Sequence, residues 1–171
     1  RGDKKVVSIV GARHCTPYGE NIAYKLAYEL ARRGAIVVSG LAYGIDICAH
    51  RAAMKYGLPT VGVLAHGLDR IYPSAHRNTA AQMVDCGGLL TEYLSHTEPE
   101  RTNFLQRNRI VAGMADATII VESAAKGGSL VTANIANSYG RDCFTFPGRT
   151  TDLSSAGCHR LIRPHQAALI T

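Results

Sequence analysis

The chain has 171 residues, 46% hydrophobic and 19% charged, enough for one domain with a core and unlike a disordered chain. Nineteen Lys and Arg against thirteen Asp and Glu leave a formal charge of +6, compatible with a polyanionic partner or simply with a basic surface. No apolar run nears the roughly 20 residues of a membrane helix and RGDKKVVSIV is no secretory signal, so the expectation is cytoplasmic with no membrane partner.

In chain order, KVVSIV (5–10) reads as a buried strand that meets a turn at Gly11. Thr16 is a good N-cap and Pro17 suits the first helical position of the helix that follows. That helix carries Ile22, Leu26 and Leu30 at a spacing of four and stops at Gly34. AIVVS is a second strand, the loop GLAYG follows, and a helix runs from near Ile45 to Gly57. PTVGVLA is a third strand. A helix over about 75–84 and a strand LLTE come next, and SHTEPE reads as a loop.

The stretch from Arg101 to Gly148 organises the rest. Arg101, Arg107 and Arg109 surround Phe104, and a helix over about 104–115 leads into the strand ATIIVE. The turn KGGS opens a helix from Ser129 to about Tyr139, and the strand CFTF stops at Pro147 and Gly148. An amphipathic stretch, CHRLIRPHQAALI, closes the chain. Alternating strands and helices, with strands that are continuous apolar runs, predict an α/β fold. It is a Rossmann-like open, mostly parallel sheet with helices on both faces, in one domain over 1–171. Ligands of such sheets bind at the carboxyl ends of the strands, where GARHCT, GLAYGID, AHGLD and ESAAKGGS fall.

No GxGxxG follows the first strand and no GxxxxGK[ST] occurs, which argues against a dinucleotide site and a Walker-type ATPase. Arg13, two residues past Gly11, is placed to meet a phosphate. Phe104 between arginines fits a base-stacking platform and a core ring equally well. Asn108 and Arg109 fit either that basic face or the bracing of loops. KGGS offers Lys126, two glycines and Ser129 at a helix start, an arrangement that suits an anion or a plain tight turn. Asp46 and His50 share a helix face at a spacing of four, which suits a structural anchor of the helix start better than a catalytic pair. His66 and His76 lack metal spacing, and structural roles are expected. The five cysteines are scattered with no CxxC, so no metal site is expected and reduced, mostly buried thiols are.

Together and in this order, GARHCTPYG, SGLAYGIDICAH, HGLDRIYPSAH, NFLQRNRIVAGMAD, VESAAKGGSLVTANIANSYGRDCFTFPG and GCHRLI resemble the central domain of the DNA-processing protein A (DprA, or Smf) family. The resemblance implies a Rossmann-like domain that binds single-stranded DNA, with no cofactor and no established enzymatic activity. Such proteins protect incoming single strands in natural transformation and help load the recombinase RecA, acting as homodimers. Carried onto this sequence, the implied DNA-contacting residues are Gly11, Arg13, Arg101, Phe104, Arg107, Lys126 and Ser129. His159, Leu161 and Ile162 match the dimer and RecA-facing region. Arg101 stands where the family commonly has lysine, which changes phosphate geometry, and KGGS replaces a more usual RSGS. The N-terminal helical and C-terminal winged-helix domains common in the family have no counterpart, so the chain reads as an excised core domain. The competing expectation is a nucleotide-processing or nucleotide-sensing protein related to nucleoside-monophosphate phosphoribohydrolases. Those use a PGGxGTxxE turn, whereas AKGGSLVTA lacks the proline and the glutamate.

Overall fold

The computed structural model describes residues 4–171. Seven strands form one sheet: β1 (Val6–Val10), β2 (Ile36–Ser39), β3 (Thr60–Val63), β4 (Gly88–Leu90), β5 (Ala117–Ile120), β6 (Asp142–Thr145) and β7 (Ala168–Leu169). Their order is β4-β3-β2-β1-β5-β6-β7, and every neighbouring pair is parallel. The sheet is therefore wholly and not just mostly parallel.

Among the described residues six helices cover it: α1 (Pro17–Ala31), α2 (Ile45–Lys55), α3 (Arg77–Cys86), α4 (Arg101–Met114), α5 (Gly128–Ser138) and α6 (Ala156–Ile162). Alternate residues of the central strands face opposite layers, as the two-residue period of a strand requires. Val7, Ile9, Val37 and Ile119 pack under α1 and α2, while Val10, Val38 and Ile120 pack under α4, α5 and α6. On α1 the buried stripe is Ile22, Ala23 and Ala27, with Leu26 and Leu30 only half-buried. The alanines lie inward because α1 packs on α2, whose Ala49, Ala52 and Ala53 are fully buried; small residues let the two helices approach. Thr16 caps α1 as expected, its hydroxyl oxygen accepting from the Gly19 N–H at 3.1 Å.

Hydroxyls buried in the strands find partners without breaking the ladder. Ser8 Oγ donates to Thr118 Oγ1 at 2.7 Å, Ser39 Oγ to the Ile9 carbonyl at 2.6 Å, and Thr145 Oγ1 to the Ile120 carbonyl at 2.8 Å.

Three boundaries differ from the sequence reading. The stretch 75–84 divides into a 3-10 turn at Ser74–His76 and α3. Helix α4 begins at Arg101, three residues before the expected start near Phe104. The last stretch forms α6 and then adds β7 to the sheet edge beside β6. Among the described residues, no helix is long and apolar enough to cross a membrane. The five cysteines carry free thiols; Cys143 and Cys158 are buried, Cys15 and Cys48 half-buried, and Cys86 exposed.

Candidate nucleic-acid interface

Strand order reverses between β1 and β5: the chain steps outward from β1 to β4, then returns to pair β5 with the other side of β1. The loops that leave these two strands diverge and open a crevice at their carboxyl ends. A cleft of about 440 Å³ lies there, and its lining includes Gly11, Arg13, Asp46, Phe104, Arg107 and Ser129.

The floor is built tightly. A Cβ on Gly11 would stand 2.5 Å from Ile45 Cγ1 and 2.9 Å from the Glu122 carbonyl oxygen, so only glycine lets α2 and the end of β5 meet here. Glu122, 1% exposed, fixes the loop after β1. Its Oε2 accepts from the Thr16 N–H at 3.1 Å and its Oε1 from the Thr16 hydroxyl at 2.5 Å. Gly19, one turn into α1, makes room for that carboxylate: a Cβ there would overlap Oε2 and stand 2.5 Å from Cδ. Gly19→Ala normally gains about 1 kcal/mol in a helix interior. Here we expect a net loss of ~1–3 kcal/mol by urea unfolding, because the methyl displaces a buried, doubly bonded carboxylate. A stabilised variant would contradict this account of Glu122.

Phe104 projects from the first turns of α4 into a group of cations and aromatics. The Arg13 guanidinium carbon lies 5.5 Å from the ring centroid and that of Arg107 5.7 Å. The Tyr72 ring centroid is 5.8 Å away, with the planes tilted by 54°. Cation and ring attract through the ring quadrupole, by about 0.5–1 kcal/mol where water has access. Phe104 is half-buried and Arg13 exposed, so this pair forms the open wall of the cleft.

Arg107 is different: it is 4% exposed. Its Nη1 donates to the Gly40 carbonyl at 2.8 Å and to the Val63 carbonyl at 2.5 Å, tying α4 to the ends of β2 and β3. Asp46 lies nearby, its Oδ2 accepting from the Gly40 N–H at 3.0 Å. Burial pushes the Asp46 carboxyl above the usual carboxylate range, against the opposing pull of the Arg107 charge. Asp46 and His50 do not pair. His50 Nδ1–H donates to Thr60 Oγ1 at 2.7 Å, and that hydroxyl donates onward to the Val37 carbonyl at 3.2 Å. Asp46 instead anchors the loop that starts α2, the structural role expected for it.

His66 and His76 also brace loops. His66 Nδ1–H donates to the Gly67 carbonyl at 2.8 Å while Nε2 accepts from the Tyr72 N–H at 3.2 Å. His76 Nδ1–H donates to the Leu41 carbonyl at 2.8 Å. On the far wall of the cleft, α5 starts at Gly128 with no side-chain cap; the Leu130 N–H donates to the Gly127 carbonyl at 3.1 Å, which leaves the N–H groups of Gly128 and Ser129 as the uncapped donors of the first turn. Ser129 sits in that turn, 7% exposed, its Oγ donating to Ser123 Oγ at 2.8 Å.

The sequence model of one family, described as DNA recombination-mediator protein A, matches residues 2–171. The chain belongs to that family. A putative DNA processing protein DprA of Mycobacterium tuberculosis is 45% identical over 167 residues, covering 98% of this chain and 43% of its own length. The X-ray structure of DNA processing protein A from Streptococcus pneumoniae superposes with a TM-score of 0.90 at 38% identity, over 98% of this chain and 59% of that one. A structure of DNA processing protein A from Helicobacter pylori, concerned with its single-stranded DNA binding mode, also gives 0.90, at 35% identity over 97% of this chain and 75% of that one. The chain thus spans 43% of the M. tuberculosis relative and 59% of the S. pneumoniae chain.

Of the residues that the family resemblance assigned, the fold brings Gly11, Arg13, Phe104, Arg107 and Ser129 into one lining. Arg101 and Lys126 are exposed and stand outside that lining, Arg101 at the start of α4 and Lys126 on the loop before α5. Arg107 is held by backbone carbonyls instead of facing solvent, which makes it a brace of the cleft before it is a phosphate ligand. Arg109 forms an exposed ion pair with Glu92. Leu161, expected on a dimer or RecA-facing surface, is 2% exposed and packs with Cys158 and Val10, so it offers no surface to a partner. Its neighbours His159 and Ile162 are half-buried.

Two contributors escaped the sequence reading. Glu122 carried a signal, a carboxylate that ends an apolar strand, where a charge needs a dedicated partner. Tyr72 carried none, because its approach to Phe104 joins a loop to α4 across 32 positions of sequence.

Proposed function

We propose that this chain binds single-stranded DNA, with a base against Phe104 and its phosphates against Arg13 and the first turn of α5. The observation that carries the reading is the Arg13–Phe104 wall opposite an uncapped helix start, all at the switch point of the sheet. An aromatic face accepts any base, and N–H groups with a guanidinium accept any phosphate, so little sequence preference is expected. Duplex DNA keeps its bases stacked inside and gives Phe104 nothing to hold. Arg101 and Lys126, exposed at the rim, add long-range attraction. The single-stranded DNA binding described for the H. pylori protein, 35% identical, supports single-strand binding here.

The site favours binding over catalysis. Glu122 is outside the cleft lining and bonded to Thr16, and Asp46 is held by the Gly40 N–H. In the same reading the chain acts in recombination as a homodimer that passes its strand to RecA. The support for that part is the family resemblance around GCHRLI, where His159 and Ile162 remain the surface candidates. Solution sizing and capture by purified RecA test it.

Fluorescence anisotropy with labelled oligothymidine, single-stranded and duplex, across a salt series tests the binding itself. Binding to the single strand, weakening steeply with salt, is expected. Phe104→Ala should weaken it by about 5- to 150-fold, the range of one lost base–aromatic stack. Arg13→Ala should weaken it and flatten the salt slope by about 0.7. Wild-type affinity in both variants would refute the placement of the strand.

A further inference from the structure

The cleft at the switch point has a volume of about 440 Å³, so a long strand that enters it has to leave it somewhere. We propose that a second groove, formed by Thr16, Pro17, Tyr18, Arg149, Thr151 and Leu153, receives the nucleotides that follow the one in the cleft. The proposal rests on the single-strand reading of the cleft.

Continuity is the first observation. Leu153 and Ser154 line both the cleft and the second groove, so the two cavities share one wall and a chain can pass from one to the other over Leu153. The second groove is larger, about 850 Å³, and runs past the start of α1.

Surface chemistry is the second. Leu153 is 85% exposed and Tyr18 45% exposed, both beside the groove. Bare apolar faces spaced along a path from Phe104 suit unstacked bases, whose own faces are apolar.

Charge selects the direction. On the opposite flank, beyond β3 and β4, Arg70 and Arg109 are already matched, and only the exposed Arg77 at the start of α3 is in no ion pair among the described residues. Arg70 pairs with Asp69 at 3.5 Å and Glu98 at 2.5 Å, and Arg109 pairs with Glu92. A polyanion running that way would meet those carboxylates. Arg149 on the second groove is exposed, and no ion pair among the described residues includes it. One carboxylate, Asp152, does line this groove. Phosphates therefore follow the Arg149 side, and the bases turn toward Tyr18 and Leu153.

The test is a ladder of oligothymidines, from about two to about eight nucleotides, measured by anisotropy competition with the wild-type chain and three variants. In wild type, affinity climbs as the oligomer outgrows the cleft. Arg149→Ala and Tyr18→Ala should flatten that climb, and Arg149→Ala should lower the salt slope for the longest oligomer by about 0.7. Both substitutions fall on exposed side chains, and thermal melts establish that the variants stay folded. Arg13→Ala serves as the reference and should weaken every length. If the Arg149 and Tyr18 variants climb as wild type does while Arg13→Ala weakens all lengths, the second groove is overturned and the cleft stands. If Arg13→Ala binds every length like wild type, the cleft reading fails and takes this proposal with it.

Discussion

Arg107→Ala is expected to lower the unfolding free energy by about 3–5 kcal/mol, as when one partner of a buried charged network is removed. The guanidinium is nearly enclosed and donates to the carbonyls of Gly40 and Val63, which end the neighbouring strands β2 and β3. Truncation leaves both buried acceptors without that donor. It also strips Asp46 of the positive charge that opposes its burial. The effect belongs to the folded state without DNA, so urea unfolding of the free protein reads it directly. Arg107→Lys keeps the charge but ends on a shorter stem than the Nη1 that reaches both carbonyls, and should fall between the two. A loss below about 1 kcal/mol for Arg107→Ala would mean that the side chain is a DNA ligand only, with no bracing role.

The second large effect is on acid stability. His50 is fully buried, and burial, reinforced by the charges of His76 and Arg107, pushes its imidazole down from 6.5 to about 3. Its Nε2 has no hydrogen-bond partner among the described residues, so protonation there would place an unsolvated charge in the core. The folded state keeps His50 neutral where the unfolded chain takes up a proton. Its contribution is therefore whole above about pH 6.5 and is lost as pH falls toward about 3. Between about pH 7.5 and about pH 5 this one group removes roughly 2 kcal/mol. Asp46 works in the opposite sense: its raised carboxyl weakens the fold at neutral pH and relieves that penalty as it protonates, offsetting part of the loss at the acid end. Unfolding of His50→Gln at the two pH values isolates the histidine. Its stability should fall by about 2 kcal/mol less than that of wild type over the same interval. Equal losses in both proteins would assign the acid sensitivity to another group.

Much of the fold was legible because strand and helix periods alternate without interruption from Lys5 to Thr145. The strands read as unbroken apolar runs, and the parallel sheet followed from that. The cleft was legible as far as local signals reached: Gly11 and Arg13 follow a strand, and KGGS precedes a helix. What the sequence concealed depends on which way side chains point across the fold. Arg107 stands three positions after Phe104 and four before Val111, on the inward stripe of α4, yet an arginine in a basic cluster reads first as a surface residue. Leu161 follows Cys158 by three positions on α6 and turns into the core with it. β7 has two residues, too few for any period to show, and exists only because β6 offers it an edge.

That edge has a consequence for solubility. An open parallel sheet ends in two rows of unpaired backbone groups, and such rows template the addition of foreign strands. Here one margin is β4, with three residues, and the other is β7, with two. Neither is long enough to register an incoming chain, since strands that add stably usually run about five or six residues. β7 also lies against β6, whose Phe144 and Cys143 would otherwise present a sticky margin of backbone and apolar side chain. The last strand is thus a selvedge: a narrow finished border that stops the sheet from growing into aggregates.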